Sequence, residues 1–206
     1  MIKILGRNNS INVQKVMWCA AELGVSVDRK DVGGTFGGND TPEYLAKNPN
    51  GKIPVLEDGE FILWESNSIV RYLAETHGAT PWYPNDLQTR AEANQWMDWY
   101  LTCLHPPMTV IFWSLVRTAP EDRDMAKVDK AVSEAATLFR MLDDHLTTRD
   151  FMTGPEPCMG DIPVGCSTYR WFTMDVARPE LPNLEAWYDR LKSRPAFQEH
   201  VMIPLT

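Results

Sequence analysis

The sequence predicts a small α/β domain over residues 1–79 followed by an all-helical domain over residues 88–206, with a linker at 80–87. Three observations carry this. Along the first 77 residues the apolar pattern switches between the strand period of two and the helix period of 3.6, in the order β-α-β-α-β-β-α. The stretch from His77 to Gln88 holds Gly78, Pro81 and Pro84, which interrupt either pattern. Beyond it almost every segment has helical spacing.

Each element has a local reason. Ile2 to Leu5 is a short apolar run that reads as a buried strand. Asn12 is a capping residue type, and Val13, Val16, Met17, Ala20 and Leu23 then share one helical face until Gly24 ends it. Val25 to Val32 alternates as a strand does. Gly33 to Gly38 holds four glycines in six residues and reads as a loop at a pocket rim. It lacks the strand-Gly-helix setting of a dinucleotide site. Thr41-Pro42-Glu43 starts a helix that Asn48-Pro49-Asn50-Gly51 breaks. Ile53–Leu56 and Phe61–Trp64 flank Asp58-Gly59, a hairpin signal. Ile69, Tyr72 and Leu73 resume helical spacing.

In the second half, residues 88–117 read as one long helix or two, because Pro106-Pro107 must kink or break it. Further helices are expected over 122–147, 160–174, 183–193 and 195–201.

Bulk properties exclude several function classes. The net charge of −8 argues against nucleic acid, whose phosphates need a basic face. The longest apolar stretch, Met108 to Val116, is far short of the roughly 20 residues of a spanning helix, so no membrane partner is expected. With no secretory signal at the N-terminus, the chain is expected in the cytoplasm. Cys19, Cys103, Cys158 and Cys166 form no C-x-x-C pair and no His/Cys cluster of zinc spacing, so they read as reduced thiols and no metal is expected.

The segment Asn50-Gly51-Lys52-Ile53-Pro54-Val55-Leu56, followed by Glu65-Ser66-Asn67-Ser68-Ile69-Val70-Arg71-Tyr72-Leu73, resembles the glutathione-binding signature of the cytosolic glutathione transferase family. The element order and Gly160-Asp161-Ile162 in the helical half are similar too, so the resemblance spans the chain. The run from Gly6 to Val16 resembles a bacterial branch of that family. The resemblance implies a thioredoxin-like N-terminal domain, glutathione as co-substrate and a detoxifying transferase. It also implies a homodimer in which Arg71 and the surface near it face the partner.

Several roles follow for residues matching the family motif. Taken alone, Pro54 reads as a trans proline at a strand edge; with the flanking motif it is expected cis, exposing the N–H and C=O of Ile53 to the cysteinyl backbone of glutathione. Glu65 and Ser66 stand at a helix N-terminus, where free N–H groups and the helix dipole favour an anion. Ser66 would donate to the γ-glutamyl carboxylate and Glu65 would accept from its ammonium. Lys52 would pair with the glycyl carboxylate.

Thiol activation falls to Ser10 and Asn12, where the first strand passes into the first helix. A thiol of pKa about 8.5 is mostly protonated at neutral pH, and lowering it by two units takes about 2.7 kcal/mol of preferential thiolate stabilisation. A hydroxyl, an amide and a helix N-terminus can supply that in a dry pocket. Ser10 aligns with the serine of serine-type members and Asn12 with an asparagine used in bacterial classes; which one contacts sulfur stays open. No cysteine stands at position 10, which favours attack by a bound thiolate on an apolar electrophile or a peroxide over a mixed disulfide with the protein.

The electrophile pocket is expected from His105, Met108, Phe112 and Trp113, on a helix that also carries Trp96, Trp99 and Tyr100, with Trp171 and Phe172 as further wall; for any one of the apolar residues on that helix, helix-helix core is the commoner reading. Two other readings stand beside conjugation: a glutathione-dependent disulfide reductase, and an interaction protein that keeps the fold without turnover. Ser10 and Asn12 weigh against the last. One departure from the family lies at Cys158, where a Ser or Thr usually caps the turn before Asp161.

Overall fold

The computed structural model describes all residues, 1–206. The N-terminal domain is thioredoxin-like, a four-stranded mixed sheet flanked by helices. Its strands are β1 (Ile2–Leu5), β2 (Val27–Lys30), β3 (Val55–Asp58) and β4 (Phe61–Trp64), in the order β2-β1-β3-β4. β1 pairs parallel with β2 and antiparallel with β3, and β3 pairs antiparallel with β4. Ile2 and Ile4 of β1 are buried, as period-two patterning of a central strand requires.

Helix α1 (Ile11–Glu22) begins one residue before Asn12. The capping position belongs to Ser10, whose backbone is extended and whose carbonyl accepts the N–H groups of Val13 and Gln14. Asn12 lies within the first turn, so the expected cap at that position is corrected. The C-terminus closes as a Schellman motif. Val25 N–H donates to Ala20 C=O and Gly24 N–H to Ala21 C=O, with Gly24 at φ 67°. That turn also delays β2 to Val27, two residues after the alternation began. Helix α2 (Pro42–Leu45) starts where Thr41 accepts from Tyr44 N–H.

The hairpin has a two-residue loop, Gly59-Glu60, with Asp58 paired to Phe61. Only Gly59 has positive φ, 61°, so the turn is the type II′ kind, with glycine at the first central position. The Ile53–Pro54 bond is cis, as expected, and Thr80–Pro81 is cis as well. Helix α3 (Ser66–His77) follows β4.

No helix or strand lies between His77 and Leu87. The helical domain opens with α4 (Leu87–Trp99), a π-helical turn over Tyr100–Leu104, α5 (His105–Phe112) and a second π-helical turn over Trp113–Arg117. Of the two readings for this stretch, one long helix is the one found: the run is helical from Leu87 to Arg117 with no break at Pro106-Pro107. The prolines sit at the start of α5, and the π turn before them lets His105 N–H reach Tyr100 C=O, five residues back. The missing proline N–H groups thus fall where the ladder is already widened. Helices α6 (Met125–His145), α7 (Asp161–Thr173), α8 (Pro182–Lys192) and α9 (Pro195–His200) complete the chain. None is long and apolar enough to cross a membrane.

The two domains share α1 as a wall. One face packs on α3 and another on α7. Gly165 of α7 permits this, because a Cβ there would stand 3.0 Å from the Trp18 ring and 2.8 Å from Leu191. Glu22 at the end of α1 accepts from Arg194 at 2.6 and 2.7 Å and from the Trp18 indole at 2.8 Å.

The turn before α7 is well held despite Cys158. Its Sγ accepts from Gly160 N–H and the Thr153 hydroxyl, each at 3.3 Å. Buried Cys19, Cys158 and Cys166 are all unpaired, and burial pushes the thiols of Cys158 and Cys166 up to about 12.

Candidate active site

The loop from β1 into α1 and one side of the long helix through α5 enclose a cleft of about 310 Å³. Ser10, Ile11 and Asn12 form one side of it, and His105, Thr109, Phe112 and Trp113 the other. Four cationic side chains complete the lining: Arg7, Lys52, Arg117 and Arg170, with no carboxylate among them.

Ser10 and Asn12 therefore meet at the N-terminus of α1, where the free backbone N–H groups lie. The Ser10 hydroxyl makes no cap bond to the helix. Asn12 is oriented from below. Its Oδ1 accepts from Lys15 Nζ at 2.9 Å and from the Ser66 hydroxyl at 3.3 Å. An ammonium only donates, so it fixes the amide oxygen toward Lys15 and leaves Nδ2 as the free donor.

Lys15 is fully buried and has no carboxylate partner. Its ammonium also reaches Ser66 Oγ at 3.4 Å and Asn67 Oδ1 at 3.5 Å, and lies 4.3 Å over the Tyr100 ring. Burial is the main force pulling its pKa down, to about 7. His105 is held between the Tyr100 hydroxyl, 2.9 Å from Nδ1, and the Thr109 hydroxyl, 3.4 Å from Nε2. Burial, with the charges of Lys15 and Arg170, lowers its pKa to about 4, so the imidazole is neutral at pH 7.

The other expected ligand groups lie along the sheet edge and at the start of α3. The N–H and C=O of Ile53 make no backbone bond within the chain, and Pro54 is buried behind them. Lys52 is exposed at the cleft. Glu65 is exposed and holds φ 72°, the one non-glycine residue with positive φ. Its carbonyl accepts from Ile69 N–H, while Ser66, Asn67 and Ser68 present N–H groups without a backbone partner. The Ser66 hydroxyl points inward and donates to Asn12, while its backbone N–H lies in the open first turn of α3.

Two expectations are corrected. Met108 is 3% exposed and packs in the core, and Trp96, Tyr100 and Trp171 are core residues too. Of the expected electrophile residues, His105, Phe112 and Trp113 line the cleft and Met108 does not, because α5 turns it toward the helical interior. The cleft is also not apolar: only Ile11, Phe112 and Trp113 are hydrophobic. Arg7, Arg117 and Arg170 were not foreseen. They lie far apart in sequence, on a loop, a π turn and a buried helix, and no local pattern marks them.

Arg71, expected to face a partner subunit, is engaged within the chain. It donates to Asn94 at 2.6 Å and pairs with Asp98, tying α3 to α4.

The family model described as "Glutathione S-transferase, N-terminal domain" matches residues 2–75, and "Glutathione S-transferase, C-terminal domain" matches residues 95–195. Glutathione S-transferase GstB of Escherichia coli (strain K12) is 41% identical over 208 residues, covering 100% of both chains. The crystal structure of the theta class glutathione S-transferase from Xanthomonas axonopodis pv. citri with glutathione bound is 47% identical. It covers 100% of this chain and 99% of that one, with a TM-score of 0.96. Elongation factor 1-gamma of Rattus norvegicus is 30% identical over 78% of this chain, which spans 36% of that protein.

Proposed function

Because the chain belongs to the glutathione S-transferase family, we propose that it holds the glutathione thiolate at Ser10 and Asn12 and adds it to a small electrophile seated against Phe112 and Trp113. The observation that carries this reading is a pair of free donors at one helix N-terminus. The Ser10 hydroxyl is uncommitted by the helix, and Asn12 Nδ2 is left free by the Lys15 bond to its oxygen. Both favour the anion over the thiol. Residues 1–79 supply the glutathione groove and residues 88–206 the opposite wall. Ile53 presents its N–H and C=O to the tripeptide backbone, the α3 N-terminus with Ser66 and Glu65 takes the γ-glutamyl end, and Lys52 takes the glycyl carboxylate. None of the four cysteines lines the cleft, so disulfide exchange would find no protein sulfur there.

In conjugation the sulfur forms a bond to the electrophilic carbon while the leaving group departs with its electron pair, or a conjugated carbon takes the pair and then a proton. Proximity and a ready thiolate supply the rate. The test is a pH titration of thiolate absorbance with glutathione bound. A midpoint about two units below the free value of about 8.5 is expected. Ser10→Ala and Asn12→Ala should each return the midpoint upward by about one unit, or about 1.4 kcal/mol. Glutathione bound with an unshifted midpoint would overturn the reading.

The proposal includes a cytoplasmic homodimer, for which β4 offers exposed Phe61, Ile62 and Trp64. Light scattering should return twice the chain mass of 23.5 kDa.

A further inference from the structure

The cleft concentrates positive charge in an acidic protein. The chain carries a net charge of −8, yet its cleft lining holds four cationic side chains and no Asp or Glu. None of Arg7, Arg117 and Arg170 stands in an ion pair, whereas most of the ion pairs in the chain lie on its surface.

Arg170 is the extreme case. It projects from α7 with only 7% of its surface exposed, and its Nε is buried without a hydrogen-bond partner. Its guanidinium lies 3.8 Å over the Phe112 ring. Arg117 approaches the same ring at 5.7 Å. The Arg7 side chain makes one bond, to Asn9 at 2.9 Å, and lies under the glycine loop at Gly34, where a Cβ would stand 2.5 Å from its Nε. A buried guanidinium left unpaired costs free energy that an acceptor would offset. A planar fork of N–H donors beside an aromatic face is the geometry that receives a carboxylate bidentately.

Glutathione brings two carboxylates, and the proposed reading already gives each a place: the α3 N-terminus and Lys52. The arginines at Phe112 remain. We propose that the electrophile is itself an anion, a small molecule carrying a carboxylate, which Arg170 and Arg117 grip while Phe112 supports its apolar body. This inference rests on the conjugation reading and names its substrate class. It also explains why a cleft for a second substrate has so little apolar surface. The carboxylate anchors one end of the electrophile in the fork, and its reactive carbon points toward Ser10 and Asn12 on the facing wall.

A matched pair of probes tests it: 4-chloro-3-nitrobenzoate and 4-chloro-3-nitrobenzamide, the same ring with and without the charge. In both, the sulfur bonds to the ring carbon bearing chlorine, the C–Cl bond breaks, chloride leaves with the electron pair, and the thiol proton goes to solvent. Each kcat/KM is divided by the uncatalysed rate constant of the same probe, because the two groups activate the ring differently. The benzoate should be favoured at least about tenfold, a difference of about 1.4 kcal/mol. Arg170→Gln and Arg117→Gln should each lower the benzoate value about tenfold more than the benzamide value. Arg117 is exposed, so its variant keeps the test open if Arg170→Gln does not fold.

Equal values for the two probes in the wild type would overturn the proposal. So would arginine variants that raise the KM for glutathione and lower both probes alike, since the arginines would then be holding the tripeptide. Neither probe reacting, with the thiolate midpoint lowered, would sink the substrate class alone. Neither reacting, with the midpoint unshifted, would sink the conjugation reading as well.

Discussion

Asp161→Ala is expected to destabilise the protein by about 3–5 kcal/mol, enough to remove much of the stability of a typical domain. Asp161 is fully buried at the start of α7. Its Oδ1 accepts from Met152 N–H at 3.0 Å and the Trp187 indole at 2.8 Å, and its Oδ2 accepts from Cys158 N–H at 2.9 Å. One carboxylate thus satisfies three buried donors from three segments of chain. Alanine leaves all three without an acceptor, at about 1–3 kcal/mol each before relaxation. Asp161→Asn keeps one oxygen and turns an NH2 group toward other donors, so an intermediate loss is expected. Urea unfolding of the three proteins checks both. A loss below about 1 kcal/mol for the alanine variant would show that water replaces the carboxylate there.

Lys15→Met is expected to change how stability depends on pH. The folded-state pKa of Lys15, about 7, lies below the unfolded value of about 10.4. Between those values the unfolded chain binds more protons at this site, so its contribution to stability rises with pH. The penalty for the buried charge is fully present below pH 7 and is relieved as pH climbs from there toward 10. From pH 7 to pH 9 the wild type should gain about 2 kcal/mol relative to Lys15→Met, which has no such proton to lose. Parallel pH profiles for the two proteins would contradict this. The same variant removes the ammonium that fixes the Asn12 amide. Its thiolate midpoint should therefore move up even though residue 15 lines no part of the cleft.

His105 adds to the same trend at lower pH. Its folded pKa of about 4 lies below the usual 6.5, so its contribution to stability rises between those values and is constant above them.

The order of elements was legible because it rests on local chemistry. Strands β1 and β4 begin and end where their apolar runs do, Thr41 caps α2, and Gly59 makes the hairpin turn. The signature around Pro54 and Ser66 was legible for the same reason: each half is a contiguous run. Local chemistry misled at one point and left a second open. Asn12 is a good cap by type, but Ser10 already has the extended backbone and the carbonyl that accepts from Val13 and Gln14. Pro106-Pro107 are helix breakers by type, but a π turn just before them absorbs the missing bonds.

By itself the sequence determined the two-domain architecture and put Ser10 and Asn12 where the first strand passes into the first helix, because backbone geometry and short motifs are written in neighbouring residues. The tertiary structure decided which of those groups stand together and what charge lines the cleft. Lys15, read from the sequence, is one more residue of an amphipathic helix; burial against Tyr100 and Ser66 makes it the group that aims Asn12. Arg7, Arg117 and Arg170 acquire a shared meaning only when the sheet domain, the long helix through α5 and α7 bring them to one cleft without a carboxylate, two of them beside Phe112. The strength of a charge depends on its distance from other charges and from water, and both are set by the packing of segments remote in the chain.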